Sequence, residues 1–472
     1  MAISRRPLFT CFLLPAFICI SLFVSCKKDS IIESKEARLS TSIDSLKFDT
    51  VFTSVGSVTR SFKISNLNDQ RLRLSSIKLM GGNASAFRLN INGAPTQEVA
   101  GVELQSEDSI YVFVTVHINP STSNLPFIVR DSILIEYNGN KKYVQLEAFG
   151  QNANFLRNRV LTGNTTWTNN LPYVILGSLV IDTNAILTID PGCKVYLHAD
   201  APFITDGTLV VNGTHNNRVI FRGDRMDGIY KDLPSSWPGI YFRESSKDNV
   251  LRYTSVLNAY QAIVVERPSK NARPKLVLEQ CEIHNAFDVG LLGVNTSVTA
   301  NNCLVTNCGN NVMFLYGGEY EMSHSTIAAY PIYLEHKKPV LSVTDYISQN
   351  GSTLTANLEA TFTNCIFWAD GNAVENETSV EKQGGGIFNV SFNSCILKGT
   401  SDPANSKVIA SSRNEDPIFD SIDVANNFFD FRTFKNPAAP GINKGTTTSL
   451  LIDLDGKNRN VGIPDLGCYE KQ

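Results

Sequence analysis

Three groups of charged residues have the side chains that acid–base chemistry requires. Cations and carboxylates alternate in Arg222-Gly223-Asp224-Arg225-Met226-Asp227, Glu319 and Glu321 stand two residues apart, and Glu335-His336-Lys337-Lys338 adds an imidazole and two amines. Paired carboxylates are the usual acid and base of glycoside hydrolysis. None of the three groups carries a recognisable catalytic motif, and charges on a solvated face explain them equally well. The catalytic residues, if any exist, are therefore unknown.

The histidines and cysteines do not form a metal motif. No HxH, HExxH or CxxC occurs, and His324 is expected to be a solvent-facing strand residue. Seven cysteines follow Cys26, an odd number, and they recur with a strand repeat, so we expect buried free thiols rather than disulfides. Asp453-x-Asp455-Gly456 has the first ligands of a calcium loop but not the others. We predict no metal and no cofactor; calcium is possible but not indicated.

Length and composition exclude several classes of protein. The chain has 472 residues, of which 42 % are hydrophobic and 18 % are charged, and its 42 basic and 45 acidic residues give a net charge of −3. This apolar content is enough for buried cores, which excludes wholesale disorder. A nearly neutral chain is not a nucleic-acid binder.

The N-terminus has the pattern of an export signal. Arg5 and Arg6 precede an apolar run from Leu8 to Val24, which is short for a membrane span and contains Pro15. The run ends at Ser25-Cys26, which resembles a bacterial lipobox, with Phe23 where Leu, Val or Ile is usual. The resemblance implies a signal peptide over residues 1–25, lipidation of Cys26 and, because Lys27 follows, the outer membrane of a Gram-negative bacterium. An ordinary signal peptide is the alternative, and the periplasmic and surface faces both stay open.

Residues 26–40 are polar and predict a tether, and residues 41–150 alternate with a period of two. Seven short apolar runs are separated by turn signals, of which Asn138-Gly139 is the clearest. Seven strands in about 110 residues is typical of an immunoglobulin-like sandwich. The segment resembles the Hydin-type immunoglobulin-like domains of bacterial surface proteins, and this resemblance implies a spacer or docking module.

From residue 155 onwards the chain repeats in a way that predicts stacked parallel strands. Small side chains recur at one position of the repeat, large apolar ones follow two residues later, and apolar ones also stand three residues earlier. The small position is held by Thr254, Cys281, Cys303, Ser325, Cys365 and Cys395. Four residues after this position, Asn258, Asn285 and Asn307 are placed to form a ladder of amides along the stack.

Together with Gly207-Thr208-Leu209-Val210-Val211-Asn212-Gly213, this pattern resembles the pectate-lyase-like superfamily of right-handed parallel β-helices. The resemblance implies an all-β chain: a sandwich followed by a β-helix over 155–472, with a C-terminal cap from about residue 416 that closes the last coil. Enzymes of this superfamily generally use a Lys, Arg or His base on outward strand positions.

Two segments are the candidates for ligand binding. The longest interval of the repeat, from Ser325 to Cys365, predicts that Glu335–Thr355 leaves the stack as a loop, which either walls a groove or is disordered decoration. The second segment is a loop flanked by aromatic residues, although Trp237 also fits core packing. The candidate binding residues are Glu335, His336, Lys337, Lys338, Asp345, Tyr346, Tyr230 and Trp237.

The function that follows is a lipid-anchored cell-envelope protein that binds a glycan or another extended partner, an envelope protein for example, without catalysis. Its other partner is the outer-membrane lipid, through Cys26. The alternative is a carbohydrate-active enzyme, either a polysaccharide lyase or a glycoside hydrolase, and a purely structural spacer is the third possibility. Fold alone does not decide among these.

Overall fold

A computed structural model describes residues 30–52, 56–119, 127–330, 332–371, 373–459 and 461–472. The signal peptide and Cys26 lie outside these residues. The chain is all-β and divides into two compact units between Asn152 and Ala153. Its helical content among the described residues is two short 3-10 turns, Gly82–Ala84 and Tyr230–Asp232. No helix in the described ranges is long and apolar enough to cross a bilayer.

The first unit consists of two sheets around one core. Its strands are β1 (Leu39–Thr41), β2 (Ser45–Phe52), β3 (Arg60–Asn66), β4 (Leu72–Leu79), β5 (Phe87–Ile91), β6 (Ala94–Pro95), β7 (Glu98–Leu104), β8 (Ser109–Val116), β9 (Phe127–Tyr137) and β10 (Asn140–Gln151). The sheets have the orders β1-β3-β8-β5-β6 and β2-β10-β9-β4-β7. Apolar side chains alternate along the strands, so one face of each sheet supplies the core.

All seven strands expected in this unit are present, and β1, β6 and β7 are additional. β7 was missed because it is a half-exposed edge strand without clear alternation. The described part of the expected tether, residues 30–40, contacts this unit: the Ile32 amide donates to the Arg71 carbonyl at 2.8 Å, and Asn138 Nδ2 donates to the Ile32 carbonyl at 2.9 Å.

The second unit is a stack of parallel coils. Its strands are β11 (Asn154–Leu161), β12 (Thr165–Trp167), β13 (Tyr173–Ile181), β14 (Ile186–Ile189), β15 (Lys194–Leu197), β16 (Phe203–Thr205), β17 (Thr208–Asn212), β18 (Val219–Gly223), β19 (Ile240–Phe242), β20 (Asn249–Arg252), β21 (Thr254–Leu257), β22 (Gln261–Glu266), β23 (Leu276–Glu279), β24 (Glu282–His284), β25 (Val289–Asn301), β26 (Leu304–Thr306), β27 (Asn310–Ser323), β28 (Thr326–Ala329), β29 (Leu341–Thr344), β30 (Tyr346–Gln349), β31 (Ser352–Thr355), β32 (Leu358–Thr363), β33 (Ile366–Ala369), β34 (Thr378–Glu381), β35 (Phe388–Asn393), β36 (Ile396–Leu397), β37 (Lys407–Ile409), β38 (Ser412–Arg413), β39 (Ser421–Asp423) and β40 (Phe428–Asp430).

Each full coil places one strand in each of three parallel sheets. Sheet A contains β12, β14, β17, β20, β23, the second halves of β25 and β27, β32, β35 and β37. Sheet B contains the first halves of β11 and β13, then β15, β18, β21, β24, β26, β28, β33, β36 and β38. Sheet C contains the second halves of β11 and β13, then β16, β19, β22, the first halves of β25 and β27, β29 and β34.

The register of the stack confirms the repeat. In sheet A, Leu278 pairs with Ala300 and Ala300 with Met322, while in sheet B Ile283 pairs with Val305. The small position follows a single residue with positive φ that turns the chain from sheet A to sheet B; Asn302, with φ of 52°, is one example. All seven described cysteines are buried and free, as expected. Asn285 Nδ2 donates to Asn258 Oδ1 at 2.8 Å, whereas Asn307 instead accepts from the Tyr330 amide.

The C-terminal residues lie against the side of the coils. Asn364 Nδ2 donates to the Thr446 carbonyl, Asn302 Nδ2 to the Ile452 carbonyl, and the Cys468 amide donates to Thr326 Oγ1. Phe431 and Leu466 join a small core on the outer face of sheet B. We expected this segment to close the last coil. It instead packs along the side of several coils, where it contacts the polar turn residues and the outward apolar residues of sheet B. Both sets of residues need partners, which the segment supplies.

This flank also corrects the expectation for His324. The side chain is fully buried, not solvent-facing, and its Nε2 lies 2.8 Å from Asn364 Nδ2 and 3.2 Å from Thr448 Oγ1. Burial is the main cause that lowers the pKa of His324 to about 3, and the positive charge of Arg459 is the second cause. The imidazole is therefore a neutral structural group under the C-terminal segment.

Candidate functional site

An open groove of about 900 Å³ crosses the outward face of sheet A. Its floor is formed by successive strands of β25, β27 and β32, and the outward residues are small or acidic. Ser297 pairs with Glu319 and Glu319 with Glu359; Thr299 pairs with Glu321 and Glu321 with Thr361. Adjacent parallel strands are about 4.8 Å apart, so these side chains form two rows across the coils.

Three carboxylates stand in these rows without partners. Glu319, Glu321 and Glu359 are exposed, and none of them makes an ion pair or hydrogen bond with any residue that the structure describes. Glu319 and Glu359 are register partners on neighbouring coils, so their Cα atoms lie about 4.8 Å apart, and Glu321 is two residues, about 6.6 Å, along the strand from Glu319. Like charges at these spacings repel each other, so the floor attracts cationic groups and disfavours anions.

One wall of the groove is the loop between β22 and β23. Asn271 Nδ2 donates to both carboxylate oxygens of Asp248 at 3.0 and 3.1 Å, and the Arg273 guanidinium lies 3.9 Å from the same carboxylate. Lys275 anchors the end of the loop: its fully buried Nζ donates to the carbonyls of Arg243, Glu244 and Glu266. Burial lowers the pKa of Lys275 to about 8. The wall therefore presents the largely exposed Arg273 guanidinium together with amide and hydroxyl groups on a fixed backbone.

The opposite wall and the end of the floor depend on close backbone packing. Gly317, with φ of 71°, would place a Cβ 2.4 Å from the Asn357 carbonyl oxygen, so only glycine fits this turn. The Gly318 amide donates to that carbonyl at 2.8 Å, and Asn357 Oδ1 accepts from the Ile387 amide at 3.1 Å. Below the turn, the Tyr320 ring stacks on Phe314 with centroids 3.8 Å apart. These contacts hold the strand that carries Glu319 and Glu321.

Of the residues singled out from the sequence, Glu319 and Glu321 line this groove, whereas the eight candidate binding residues do not. Glu359 and the wall loop were missed. The repeat contained a signal for Glu359, because Glu319 and Glu359 each stand three residues before an inward residue of sheet A, Met322 and Phe362. Nothing in the local sequence indicated the wall.

The predicted loop Glu335–Thr355 is not a single excursion. Leu341–Thr344 returns to sheet C, where it pairs with β27 and β34, and the hairpin β30–β31 projects after it. His336 and Asp345 are buried, which contradicts a role in facing a ligand. His336 Nε2 lies 2.9 Å from Glu377 Oε1, and Asp345 accepts from the amides of Gln383 and Gly384 at 2.8 Å. Charged residues in the loop thus hold it onto the coils.

The remaining residues of this loop are at the surface. Lys337 and Glu335 form an exposed ion pair of 2.7 Å, and Lys338 is exposed. The Tyr346 hydroxyl donates to Glu381 Oε2 at 2.6 Å. These side chains carry no geometry that marks a site.

The two aromatic residues that flank the second candidate loop differ in burial: Trp237 is buried and Tyr230 is exposed. Trp237 is 1 % exposed and its Nε1 donates to the Leu257 carbonyl at 2.9 Å, so it is a core residue and its assignment to a ligand was wrong. Tyr230 is exposed, but the Arg225 guanidinium lies 3.4 Å from its ring centroid and covers one face. The nearby pair of His198 Nδ1 and Asp224 Oδ2 is 2.8 Å apart.

Within the described ranges, no three His, Cys, Asp or Glu side chains are grouped as metal ligands. Asp455 of the calcium-like sequence pairs with Arg432, with 2.7 Å between Oδ2 and Nε. Asp453 accepts from the amides of Lys457 and Glu470 at 2.7 and 2.8 Å. These carboxylates are used inside the C-terminal segment.

No protein-family model matches the sequence, and no curated protein matches it significantly. Among solved structures, an α-1,3-glucanase of glycoside hydrolase family 87 from Streptomyces thermodiastaticus is 10 % identical, with 75 % of this chain and 88 % of that chain covered and a TM-score of 0.25. A family 123 glycoside hydrolase from Clostridium perfringens is 8 % identical over 23 % of each chain, with a TM-score of 0.18, so this chain spans about a quarter of that enzyme. A PapD-like domain of human CEP192 is 12 % identical over 27 % of this chain and 92 % of that domain, with a TM-score of 0.18.

Proposed function

We propose that this chain is a lipid-anchored protein of the Gram-negative outer membrane that binds an extended, uncharged glycan in the groove of sheet A. In this proposal Cys26 carries the lipid, the first unit is an immunoglobulin-like spacer, and the second is a right-handed parallel β-helix. The apolar run that ends at Ser25-Cys26 supports the anchor. The three parallel sheets support the β-helix.

The observation that carries the binding proposal is the open groove, whose floor holds three carboxylates without a partner among the described residues. It runs across several coils, so it accommodates a ligand that extends along the stack. Ser297, Thr299 and Thr361 leave space above the strands, and hydroxyl, amide and carboxylate groups offer hydrogen bonds to sugar hydroxyls. The three unpaired carboxylates of the floor outnumber Arg273, the one cation among the described lining residues, so the site is unfavourable for polyuronates, because like charges would be brought together.

Glycoside hydrolysis is the second candidate, and the spacing of the three glutamates favours it. Retaining enzymes place their two carboxyl groups about 5–5.5 Å apart and inverting enzymes about 6.5–9.5 Å apart. The Cα spacings of Glu319 to Glu359 and of Glu319 to Glu321 are about 4.8 and about 6.6 Å, and rotation about the side-chain bonds can bring the carboxyl groups of either pair into these ranges. One carboxyl group would protonate the leaving oxygen and the other would attack or activate water.

Affinity electrophoresis of the purified protein in gels that contain neutral β-glucan, xylan or polygalacturonate separates these functions. We expect a neutral polysaccharide to retard the protein, polygalacturonate to have no effect, and no new reducing ends to form. Retardation by polygalacturonate alone would contradict the proposal. Reducing ends that form with the wild type and not with Glu319→Gln, Glu321→Gln or Glu359→Gln would establish hydrolysis instead.

A further inference from the structure

Two aromatic side chains stand exposed together at the turn from sheet B to sheet C. Tyr260 is 42 % exposed and Phe287 is 48 % exposed. Their rings are stacked, with centroids 5.7 Å apart and planes 19° from parallel. Each ring therefore has one face against the other ring and presents its edge and part of its second face to solvent.

The backbone places these rings in one row along the stack of coils. The Tyr260 amide donates to the Trp237 carbonyl at 2.7 Å, the Phe287 amide to the Ala259 carbonyl at 2.9 Å, and the Gly309 amide to the Ala286 carbonyl at 3.0 Å. In a parallel ladder this bonding aligns Pro238, Tyr260, Phe287 and Gly309 on successive coils.

The row ends in a position without a side chain. A Cβ on Gly309 would lie 2.2 Å from the Phe287 carbonyl oxygen, so this position accepts only glycine. Because the rings stack along the row, the second face of Phe287 is directed towards the coil of Gly309, whose own position in the row carries no side chain.

Polar groups border the rings. Gln261 Nε2 donates to Asp288 Oδ2 at 2.8 Å, which orients both side chains beside the aromatic row. Asp288 Oδ1 and the Tyr260 hydroxyl make no hydrogen bond with a residue in the described ranges, and both are available to a ligand.

The size of this surface indicates its ligand. An aromatic side chain offers about 150–250 Å² in total, so two half-exposed rings offer roughly 200 Å² together. A stable protein interface needs about 800 Å² on each partner. A flat apolar face with hydrogen-bonding groups at its edge matches a pyranose ring, whose axial C–H bonds form an apolar face and whose hydroxyls project from the rim.

We propose that Tyr260 and Phe287 form a sugar-binding platform for a neutral pyranose, separate from the groove of sheet A. The rings contact the C–H face of the sugar, and Asp288 accepts a hydrogen bond from one of its hydroxyls. The platform does not depend on the groove being a glycan site, since it is built from different residues on a different part of the coil.

Saturation-transfer NMR with cellohexaose and the full mature protein tests the platform. We expect transfer from the aromatic protons to the axial H1, H3 and H5 protons of glucose. Phe287→Ala and Tyr260→Ala should each weaken binding at this site at least tenfold, and Tyr260→Phe should stay within about threefold of the wild type.

Two controls separate the platform from other sites. Tyr111 and Phe113 form another exposed stacked pair, with centroids 5.8 Å apart, and the Lys63 ammonium lies 4.9 Å from the Tyr111 ring centroid. Phe113→Ala should leave the transfer unchanged, and in Thr361→Trp, which fills the groove, the part of the transfer that Phe287→Ala removes should persist. Since all these side chains are exposed, we expect the thermal transition of each variant to match the wild type.

Three outcomes would overturn the proposal. The first is the absence of transfer from the protein to cellohexaose, and the second is transfer that persists unchanged in Phe287→Ala. The third is a dimer in sedimentation that Phe287→Ala converts to a monomer, because a second copy of the chain would then be the ligand of the rings.

Discussion

Arg459 and Glu470 form an ion pair in the interior of the C-terminal segment, with Arg459 Nη1 3.2 Å from Glu470 Oε2 and both side chains at most 2 % exposed. Arg459 Nε also donates to Asn302 Oδ1 at 2.8 Å, so the same guanidinium ties the segment to the turn between sheets A and B. Burial raises the pKa of Glu470 to about 7. The pair therefore stabilises the contact between the C-terminal segment and the coils.

Arg459→Met should detach this segment. Removing one partner of a buried pair leaves the other uncompensated and typically costs about 3–5 kcal/mol. Hydrogen exchange followed by mass spectrometry should show faster exchange over residues 441–472, with the inward strands unchanged. Arg413→Met is the control, because Arg413 and Asp402 form an exposed pair worth at most about 1 kcal/mol. Equal exchange in the two variants would contradict the role of Arg459.

His324 should make the folded state less stable in acid. Burial lowers its pKa to about 3, whereas an unfolded chain restores it to about 6.5. Between these values the unfolded state binds more protons, so stability is lost as the pH falls below about 6.5. Urea unfolding at pH 7 and pH 5 should show a wild-type loss, relative to His324→Gln, of up to about 1.4 kcal/mol per pH unit. Parallel pH profiles would mean that His324 binds its proton equally well in the folded and unfolded states, which would contradict the lowered pKa.

The seven described cysteines should react as free thiols only after unfolding. They are buried, and burial raises the pKa of Cys308 and Cys468 to about 12. Iodoacetamide should therefore add nothing to the native mature protein and seven labels to the denatured, unreduced protein. A sample treated with reductant before labelling is the control. A lower count without reductant would reveal a disulfide.

Cys26 should hold the protein on the membrane. Cys26→Ala should move the protein from the membrane fraction to the soluble fraction, because no acyl chains would anchor it. Cys19→Ala, within the apolar run, is the matched control and should remain membrane-bound. Mass spectrometry of the mature N-terminus should detect acyl groups on Cys26. Unchanged fractionation of Cys26→Ala would contradict lipidation.

The inward face of the second unit could be predicted because one small position recurs through six successive coils. Leu278, Ala300 and Met322 stack as their spacing indicated, since the identity of buried residues is dictated by their neighbours above and below. The outward face carries no such constraint. Glu319 and Glu321 were recognised only as one charged group among three.

The prediction of one continuous loop over the long interval was wrong because the length of an interval does not show where the chain rejoins the stack. Leu341–Thr344 divides the interval, and the insertion becomes two shorter ones. His336 and Asp345 were predicted to lie at the surface. The local sequence around a charged residue does not show whether a partner far away in the chain will bury it. Their partners, Glu377 and the Gln383 amide, lie about forty residues away in sequence.

The affinity of a groove-filled variant for a neutral glycan tests the central claim most directly. Thr361 is an exposed residue on the groove floor, and Thr166 is an exposed threonine in the same outward row several coils earlier. Calorimetric titration with the neutral polysaccharide that retards the wild type should show binding by Thr166→Trp at wild-type affinity and at least a tenfold loss for Thr361→Trp. Equal affinity of the two variants would place the glycan elsewhere and contradict the proposed function of the groove.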